Sequence, residues 1–374
     1  MRDTIARRIA AVSDAAHEAG AEAVLITNPA NILYISGFGG TAARLLICRG
    51  RLYFMTDFRY SRSVEALATD WPDNSQVVVI KGSYDDGLEA VVRGIDGRRV
   101  AFEAAHVTVA QHEAWRKRLE GIELVAAERL VERQRLVKDA GELATLRDAG
   151  ARISRLAALL PEWVRSGRSE RDIAADLNHA IARAGFSRPA FETIVASGPN
   201  AALPHARPGG RVLTPGDLVV VDFGGMLDGY AVDITRTLSV GPAGDRARHL
   251  HAAVLEAHGA AAAALAPGAR VQDIDAAARR VLDRHGYGGA VRHAVGHGLG
   301  LDVHEDPRLS RDAPEDTPLL AAGMVVTIEP GAYLDTSSAS GEDAMGVRIE
   351  DDLAVTGNGP EWLTNAAREL IATT

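Results

Sequence analysis

Cysteine is almost missing: Cys48 stands alone among 374 residues. No intrachain disulfide can form, and a reducing compartment fits such a chain. Cys48 follows the apolar run Leu45-Leu46-Ile47, a setting for a buried structural thiol rather than a nucleophile. Long hydrophobic runs are missing as well. No run of about 18 apolar residues occurs, and the alanines at 260–264 suit a helix interior rather than a bilayer span. Arg7, Arg8 and Asp14 leave no apolar core for a secretory leader. A basic excess is also lacking: 41 Lys and Arg against 50 Asp and Glu give a net charge of −9, which speaks against a nucleic-acid binder. What is present, 47% hydrophobic and 24% charged residues, is the composition of a soluble globular protein long enough for two domains. A cytoplasmic enzyme is the expectation.

The order of elements predicts two domains, residues 1–132 and 133–374. In the first, Ile5, Ile9 and Val12 recur at helical spacing up to Gly20, and Ala23–Ile26 reads as a strand closed by Asn28-Pro29. Leu45–Cys48 and Leu52–Met55 flank Arg49-Gly50-Arg51 as a hairpin. Val77–Ile80 and Arg99–Phe102 are further strands, with helical stretches at Tyr84–Val92 and Val107–Leu119. Such alternation predicts an α/β layer domain. His106 and His112, six apart on a predicted helix, face different directions and read as structural or exposed. The charged segment Glu132–Asp139 then crosses into the second domain. There a long helix is predicted over Ala140–Trp163 and another from the cap residue Ser169 to Gly185. Further helices are expected at Gly244–Leu265 and Val271–His285, and strands at Met324–Ile328 and Val347–Val355.

The chemically suggestive residues all lie after position 190. Two β-branched runs, Leu218–Phe223 and Tyr230–Val240, flank the turn-rich piece Gly224–Gly229 and read as an antiparallel pair. Asp228, before Gly229, suits a turn. Asp222 does not, because it follows Val219-Val220-Val221, where an uncompensated carboxylate is costly. Folding the pair can set Asp222 beside Asp233. Two buried like charges repel and lose hydration, and a divalent cation between them is the simplest remedy.

His205 lies in the loop Ser197–His205, and His293, His297 and His304 lie in a glycine-rich stretch. A neutral imidazole is a common ligand for Zn, Mn, Co and Fe. The spacing is not that of a zinc protease with His at i and i+4 and Glu between, since position 294 is Ala. Glu329, before Pro330-Gly331, and Glu350, in Val347–Asp351, end or interrupt β-branched strands. Each alone could be a salt-bridge partner. Together, four carboxylates in apolar strands and one imidazole balance two divalent cations, and a bridging hydroxide then fits an active cluster. The oxygen-rich set favours Mn²⁺ or Co²⁺ over a thiolate-type zinc site. Two metals ~3.5–4 Å apart can activate one water and polarise a carbonyl, which suits hydrolysis of an amide or a phosphate ester.

With these residues in view the chain resembles the pita-bread metallopeptidases, in their Xaa-Pro branch of prolidase and aminopeptidase P. The matching segments, in order, are LPHARP (203–208), VVVDFGGMLDGYAVDITRT (219–237), HAVGHGLGLDVHEDPRLS (293–310), GMVVTIEPGAYL (323–334) and GVRIEDDLAVT (346–356). More weakly, TNPANILYISGF and RLVKDAGELATLRDA resemble the family's smaller domain and crossing segment. The resemblance implies an α/β (α+β) fold, a creatinase-like N-terminal domain followed by a pita-bread catalytic domain. It implies that Asp222, Asp233, His297, Glu329 and Glu350 hold two metals, most simply Mn²⁺ with Co²⁺ or Zn²⁺ as alternatives, and that Asp233 and Glu350 bridge them. Glu329 would also be the general base, and His304 would donate to the developing oxyanion. His205 and His293 would line the pocket for proline, Arg348 would orient Asp222, and Arg308 would stand beside the pocket.

The implied function is hydrolysis of the Xaa-Pro bond in dipeptides or at peptide N-termini, with a homodimer as the expected assembly and proline-containing peptides as partners. Nucleic acid and membrane are not expected as partners. A tertiary amide without N–H binds poorly where a strand-like pairing is required, so a metal site acting on the carbonyl makes chemical sense. The alternatives are a methionine-aminopeptidase-like enzyme, a metal-free creatinase-like hydrolase, and a non-catalytic peptide-binding protein. Residues 1–132 count against the first, and the full ligand set counts against the other two. The polar stretch Leu334–Met345 is longer than the family pattern needs and bears on substrate length.

Overall fold

Short apolar runs alternating with capped helices build the first of two units, Met1–Arg135; the second is Leu136–Thr374. The computed structural model describes residues 2–335 and 344–374. The first unit runs α1 (Arg2–Glu18), β1 (Ala23–Ile26), α2 (Pro29–Ser36), β2 (Ala43–Cys48), β3 (Arg51–Asp57), α3 (Ser61–Leu67), β4 (Gln76–Ile80), α4 (Tyr84–Gly94), β5 (Arg99–Glu103), α5 (Val109–Arg118), β6 (Glu123–Ala127) and α6 (Glu132–Arg135). Its sheet has the order β4-β3-β2-β1-β5-β6. Strand β2 is antiparallel to both neighbours, and the remaining pairs are parallel. Cys48 is buried with Leu46, Met55, Phe102 and Trp115.

Two local readings change. Asn28-Pro29 opens a helix instead of a loop, because the Asn28 side chain accepts the Ala30 N–H at 2.9 Å and Pro29 takes the first helical position. His106 precedes α5 in a turn, while His112 lies on α5 and stacks on Phe102 at 5.1 Å.

The second unit runs α7 (Ala140–Ala157), α8 (Leu160–Trp163), α9 (Glu170–Arg183), β7 (Arg188–Pro189), β8 (Ile194–Ser197), β9 (Leu218–Leu227), β10 (Tyr230–Val240), α10 (Asp245–Ala263), α11 (Val271–Arg284), β11 (Gly296–Gly298), β12 (Glu305–Leu309), β13 (Val325–Ile328), β14 (Gly331–Leu334), β15 (Met345–Arg348), β16 (Asp351–Ala354), β17 (Glu361–Trp362) and β18 (Ala372–Thr373). The helix expected over Ala140–Trp163 breaks after Ala157, since Pro161 has no N–H to donate and disfavours helical backbone just before it.

One sheet has the order β18-β10-β9-β7, with β8 also on β9; a second has the order β12-β11-β13-β16-β17; β14 and β15 form a separate pair. Strand β9 continues through Gly224 and Gly225, and the chain turns only at Asp228-Gly229, with φ of 50° and 87°, as a two-residue hairpin loop demands. The glycines serve packing: a Cβ at Gly224 would lie 2.2 Å from the Val232 carbonyl, and one at Gly225 would meet the Phe186 ring at 2.6 Å.

In this register Asp222 pairs with Thr235 and Asp233 pairs with Gly224. The two aspartates are therefore diagonal neighbours on one face. The other face carries Val219, Val221, Phe223, Val232 and Ile234, packed with Ile153, Ile173 and Leu177 from α7 and α9. Helices α10 and α11 pack Val254, Ala257, Ile274 and Val281 against Val326, Ile328 and Leu353 of the second sheet. Each such side chain contributes roughly 1.5–3 kcal/mol on burial, which lets the sheets hold carboxylates in costly positions. The strand expected over Val347–Val355 is two strands: β15 pairs with β14, and β16 pairs with β13. Of the polar stretch Leu334–Met345, residues 336–343 lie outside the described residues. Among the described residues no helix is long and apolar enough to cross a membrane.

Candidate metal centre

Strand alternation sends Asp222, Asp233 and Thr235 to one face of the hairpin. Glu350 reaches the same face from the break between β15 and β16. Its N–H donates to the Thr235 carbonyl at 3.1 Å, and the Thr235 hydroxyl donates to Glu350 Oε2 at 2.7 Å. Glu329 follows β13, and its N–H donates to the Val295 carbonyl at 2.7 Å. His297 is central in β11, where its N–H meets Thr327 Oγ1 at 3.2 Å. The flanking glycines let strands close in: a Cβ at Gly296 would lie 2.0 Å from the Thr327 carbonyl, and one at Gly298 would lie 2.1 Å from that of Asp306.

His297 Nδ1 lies 2.9 Å from the Gly298 carbonyl. A carbonyl only accepts, so Nδ1 carries the hydrogen and Nε2 keeps its lone pair, the tautomer of a metal ligand. Nε2 stands 3.8 Å from Glu329 Oε1. Burial first, eased by the Gly298 carbonyl, pushes the His297 pKa down to about 4, so the ring is neutral at pH 7.

One donor atom each of Asp233, His297 and Glu350 lies within 4.8 Å of the others. Asp222 and Glu329 stand outside this trio but are coupled to it by charge. Burial, then Glu350 and Asp222, raises the Asp233 carboxyl well above its usual range. Burial, then Glu329 and Asp222, does the same to Glu350. Burial chiefly, with Asp222 adding and Arg348 opposing, takes Glu329 up to about 8. Asp222 Oδ1 and Asp233 Oδ1 are buried with no hydrogen-bond partner among the described residues. Unsatisfied buried carboxylate oxygens are expensive. Mutually repelling carboxylates with unmatched oxygens, facing an imidazole lone pair, fit a divalent cation site.

Arg348 links the surroundings. It donates from Nη2 to Asp222 Oδ2 at 2.5 Å, from Nε to Thr235 Oγ1 at 3.2 Å, and from Nη1 to Tyr333 Oη at 2.7 Å and the Pro204 carbonyl at 3.1 Å. His293 Nδ1 lies 2.7 Å from the Ala294 carbonyl and its Nε2 lies 2.8 Å from Tyr333 Oη, so Nδ1 donates and Nε2 accepts from the tyrosine.

His304 is set ring to ring with His297, centroids 4.4 Å apart, and burial lowers its pKa. His205 has an exposed side chain after Pro204 and stands in electrostatic reach of His293 and His304. Its loop is anchored by buried Glu170, which accepts the Ser197 N–H at 2.8 Å and the Gly209 N–H at 3.1 Å. Arg308 is exposed on β12 and acts on His297, His304 and Glu329 by charge.

The sequence reading passes over Tyr333, Thr235 and Asp352. Asp352 is buried and accepts the Asp233 N–H at 2.9 Å. Tyr333 offered a signal, a tyrosine inside the apolar run Ala332–Leu334, whose hydroxyl needs a partner once buried. The Asp351-Asp352 doublet inside an apolar strand offered another.

Comparison with known proteins places these residues in context. The model of metallopeptidase family M24 matches residues 144–357, and that of the creatinase/prolidase N-terminal domain matches residues 8–137. A Xaa-Pro dipeptidase of Pyrococcus horikoshii is 32% identical over 94% of this chain and 94% of its own. Among solved structures, a Xaa-Pro dipeptidase from Bacillus anthracis is 32% identical with a TM-score of 0.92, covering 98% of this chain and 99% of that one. An X-Pro aminopeptidase from Thermotoga maritima is 31% identical with a TM-score of 0.86, covering 96% and 99%.

Proposed function

The chain belongs to metallopeptidase family M24, with a creatinase/prolidase N-terminal domain before its pita-bread domain, and from that premise we propose a two-metal enzyme that hydrolyses Xaa-Pro bonds. The relatives named Xaa-Pro dipeptidase support an enzyme of the prolidase type and favour neither a methionine aminopeptidase nor a non-catalytic peptide binder. The observation that carries the reading is the cluster of buried carboxylates with orphaned oxygens around a neutral His297.

We assign Asp222, Asp233, His297, Glu329 and Glu350 to hold the cations. When bound, these would offset the carboxylate charge, acidify a water and polarise the scissile carbonyl. Glu329 takes the proton from the attacking water and passes it to the proline nitrogen, which has no hydrogen of its own and must gain one to leave. His304 donates to the oxyanion as it forms. His205 and His293 hold the proline side, Arg308 flanks it, and Arg348 keeps Asp222 turned to the site. The oxygen-rich donor set favours Mn²⁺, with Co²⁺ or Zn²⁺ as alternatives. The expectations of a homodimer and a cytoplasmic location rest on the family resemblance.

Chelation tests the reading. EDTA should abolish release of proline from a Xaa-Pro dipeptide, and Mn²⁺ or Co²⁺ should restore it; full activity in a chain shown by elemental analysis to be metal-free would sink the proposal. Comparing that release with cleavage of the first residue from Xaa-Pro tripeptides separates dipeptidase from aminopeptidase. A second expectation concerns His304. Its change to Ala should leave metal stoichiometry as in the wild type and lower kcat by about 10²–10³-fold, as loss of one oxyanion donor does. Undiminished kcat would remove His304 from that role.

A further inference from the structure

Behind the carboxylates, a second buried charge cluster has no part in the chemistry above. Arg236 follows Thr235 on β10 and so leaves the strand on the opposite side. All five of its N–H groups find acceptors. Nε donates to the Ala367 carbonyl at 2.7 Å. Nη1 donates to the carbonyls of Thr235 at 2.9 Å and Glu350 at 2.7 Å. Nη2 donates to Asp351 Oδ1 at 2.8 Å and the Ala366 carbonyl at 2.9 Å. Fully buried Asp351 also accepts the Thr364 hydroxyl at 2.8 Å and Arg368 Nε at 2.6 Å, and stands 3.3 Å from His258 Nε2. The Arg368 guanidinium rests over the Trp362 ring, 4.1 Å from its centroid.

We propose that Arg236, held by Asp351 and the C-terminal segment Thr364–Arg368, is a positioning residue that sets the Glu350 carboxylate for the cations. The inference rests on the two-metal reading above. Glu350 belongs to neither flanking strand, and its bridge to Thr235 is isolated. Apart from its N–H to the Thr235 carbonyl, its placement is therefore left to side chains. Arg236 grips the carbonyls of both Thr235 and Glu350, while on the other side of the chain Thr235 Oγ1 donates to Glu350 Oε2. Moving the 350–351 peptide would draw the carboxylate away from both Thr235 and Asp233. A hydrophobic filling of this space would often be as stable as buried ions, so the fixed five-donor fork points to geometry as its use. Lysine, a flexible point charge with three donors, cannot span the same acceptors.

The test is Mn²⁺ titration calorimetry on the full-length, chelator-stripped chain, at a temperature where circular dichroism shows it folded. Arg236→Lys should weaken Mn²⁺ binding by about 10–100-fold, the usual effect of losing a group that orients a ligand. Arg147→Lys, at the surface pair with Glu361, should bind as the wild type does. Arg368→Gln withdraws the Nε donor from Asp351 and leaves the Thr364 hydroxyl in place on Asp351 and on the Asp352 N–H; it should fold and lose affinity several-fold, and it decides the matter if Arg236→Lys does not fold. Wild-type affinity in the folded variants, with only a lowered Tm, overturns the positioning role and leaves the two-metal reading intact. Failure of the wild type to bind any of Mn²⁺, Co²⁺ and Zn²⁺ overturns both.

Discussion

Metal-free Asp233→Asn protein should be more stable to heat than metal-free wild type, yet should lose at least about 10³-fold in kcat/KM, or ~4 kcal/mol of transition-state stabilisation. The opposite signs follow from one cause. Asp233 is buried beside Glu350, Asp222, Asp352 and Glu329, and burial and these neighbours together raise its carboxyl well above the usual range. Without a cation the folded chain carries that repulsion, and Asp233 Oδ1 has no partner among the described residues. Asparagine keeps the shape, removes one charge and adds an N–H₂ that can donate to a neighbouring carboxylate. A hydrogen bond to a charged acceptor is worth about 1.5–3 kcal/mol, and relief of repulsion acts in the same direction. The cost falls on the site, because Asp233 offers a donor atom within 4.8 Å of those of His297 and Glu350. Scanning calorimetry of stripped wild type and variant, with and without Mn²⁺, checks both halves. A variant less stable than wild type when both are metal-free would mean the carboxylate serves an internal ion pair.

Much of this site is legible in the chain because burial of charge leaves a trace in composition. Asp222 after three valines, and Glu329 and Glu350 among β-branched residues, are out of place unless something compensates them. The hairpin was legible too, and so was its turn at Asp228-Gly229, but not how short the turn is: Gly224 and Gly225 read as loop residues, and only the ring of Phe186 and the carbonyl of Val232 explain why glycine is needed inside a strand. The break at Ile349-Glu350 left a trace that the reading of one strand passes over, since the alternation of Val347–Glu350 stops at the acidic run Glu350-Asp351-Asp352. It arises from pairing with two different sheets, a tertiary choice that overrides local pattern. Arg236 was hidden for a similar reason. An arginine in a strand reads as a solvent position, whereas this one is 4% exposed and its partners other than the Thr235 carbonyl lie more than a hundred residues away. Tyr333 gains meaning only from Arg348 and His293, which sit on separate segments.

Arg348→Met should destabilise the metal-free chain by roughly 3–5 kcal/mol, the cost of stranding a buried charge, and lower kcat/KM by about 10²-fold even with Mn²⁺ added. Arg348 is 3% exposed and is the ion-pair partner of Asp222. Without it, Asp222 Oδ2 loses its donor while Oδ1 already lacks one. Cations should restore part of the stability, since they supply the missing positive charge, so the rise in Tm on adding Mn²⁺ should be larger in the variant than in the wild type. Activity should not follow. The same guanidinium holds the carbonyl of Pro204, just before His205, and the hydroxyl of Tyr333, which donates to His293. Both groups assigned to the proline side would loosen, and KM should rise along with the fall in kcat. Arg348→Lys separates the two roles: one charge beside Asp222 should recover most of the stability, while the bonds to Pro204, Tyr333 and Thr235 cannot all be remade by a flexible ammonium. A metal-free Arg348→Met chain as stable as wild type would show that Asp222 draws its compensation from elsewhere, and the site would then need a different account of which side chain keeps its first aspartate turned inward.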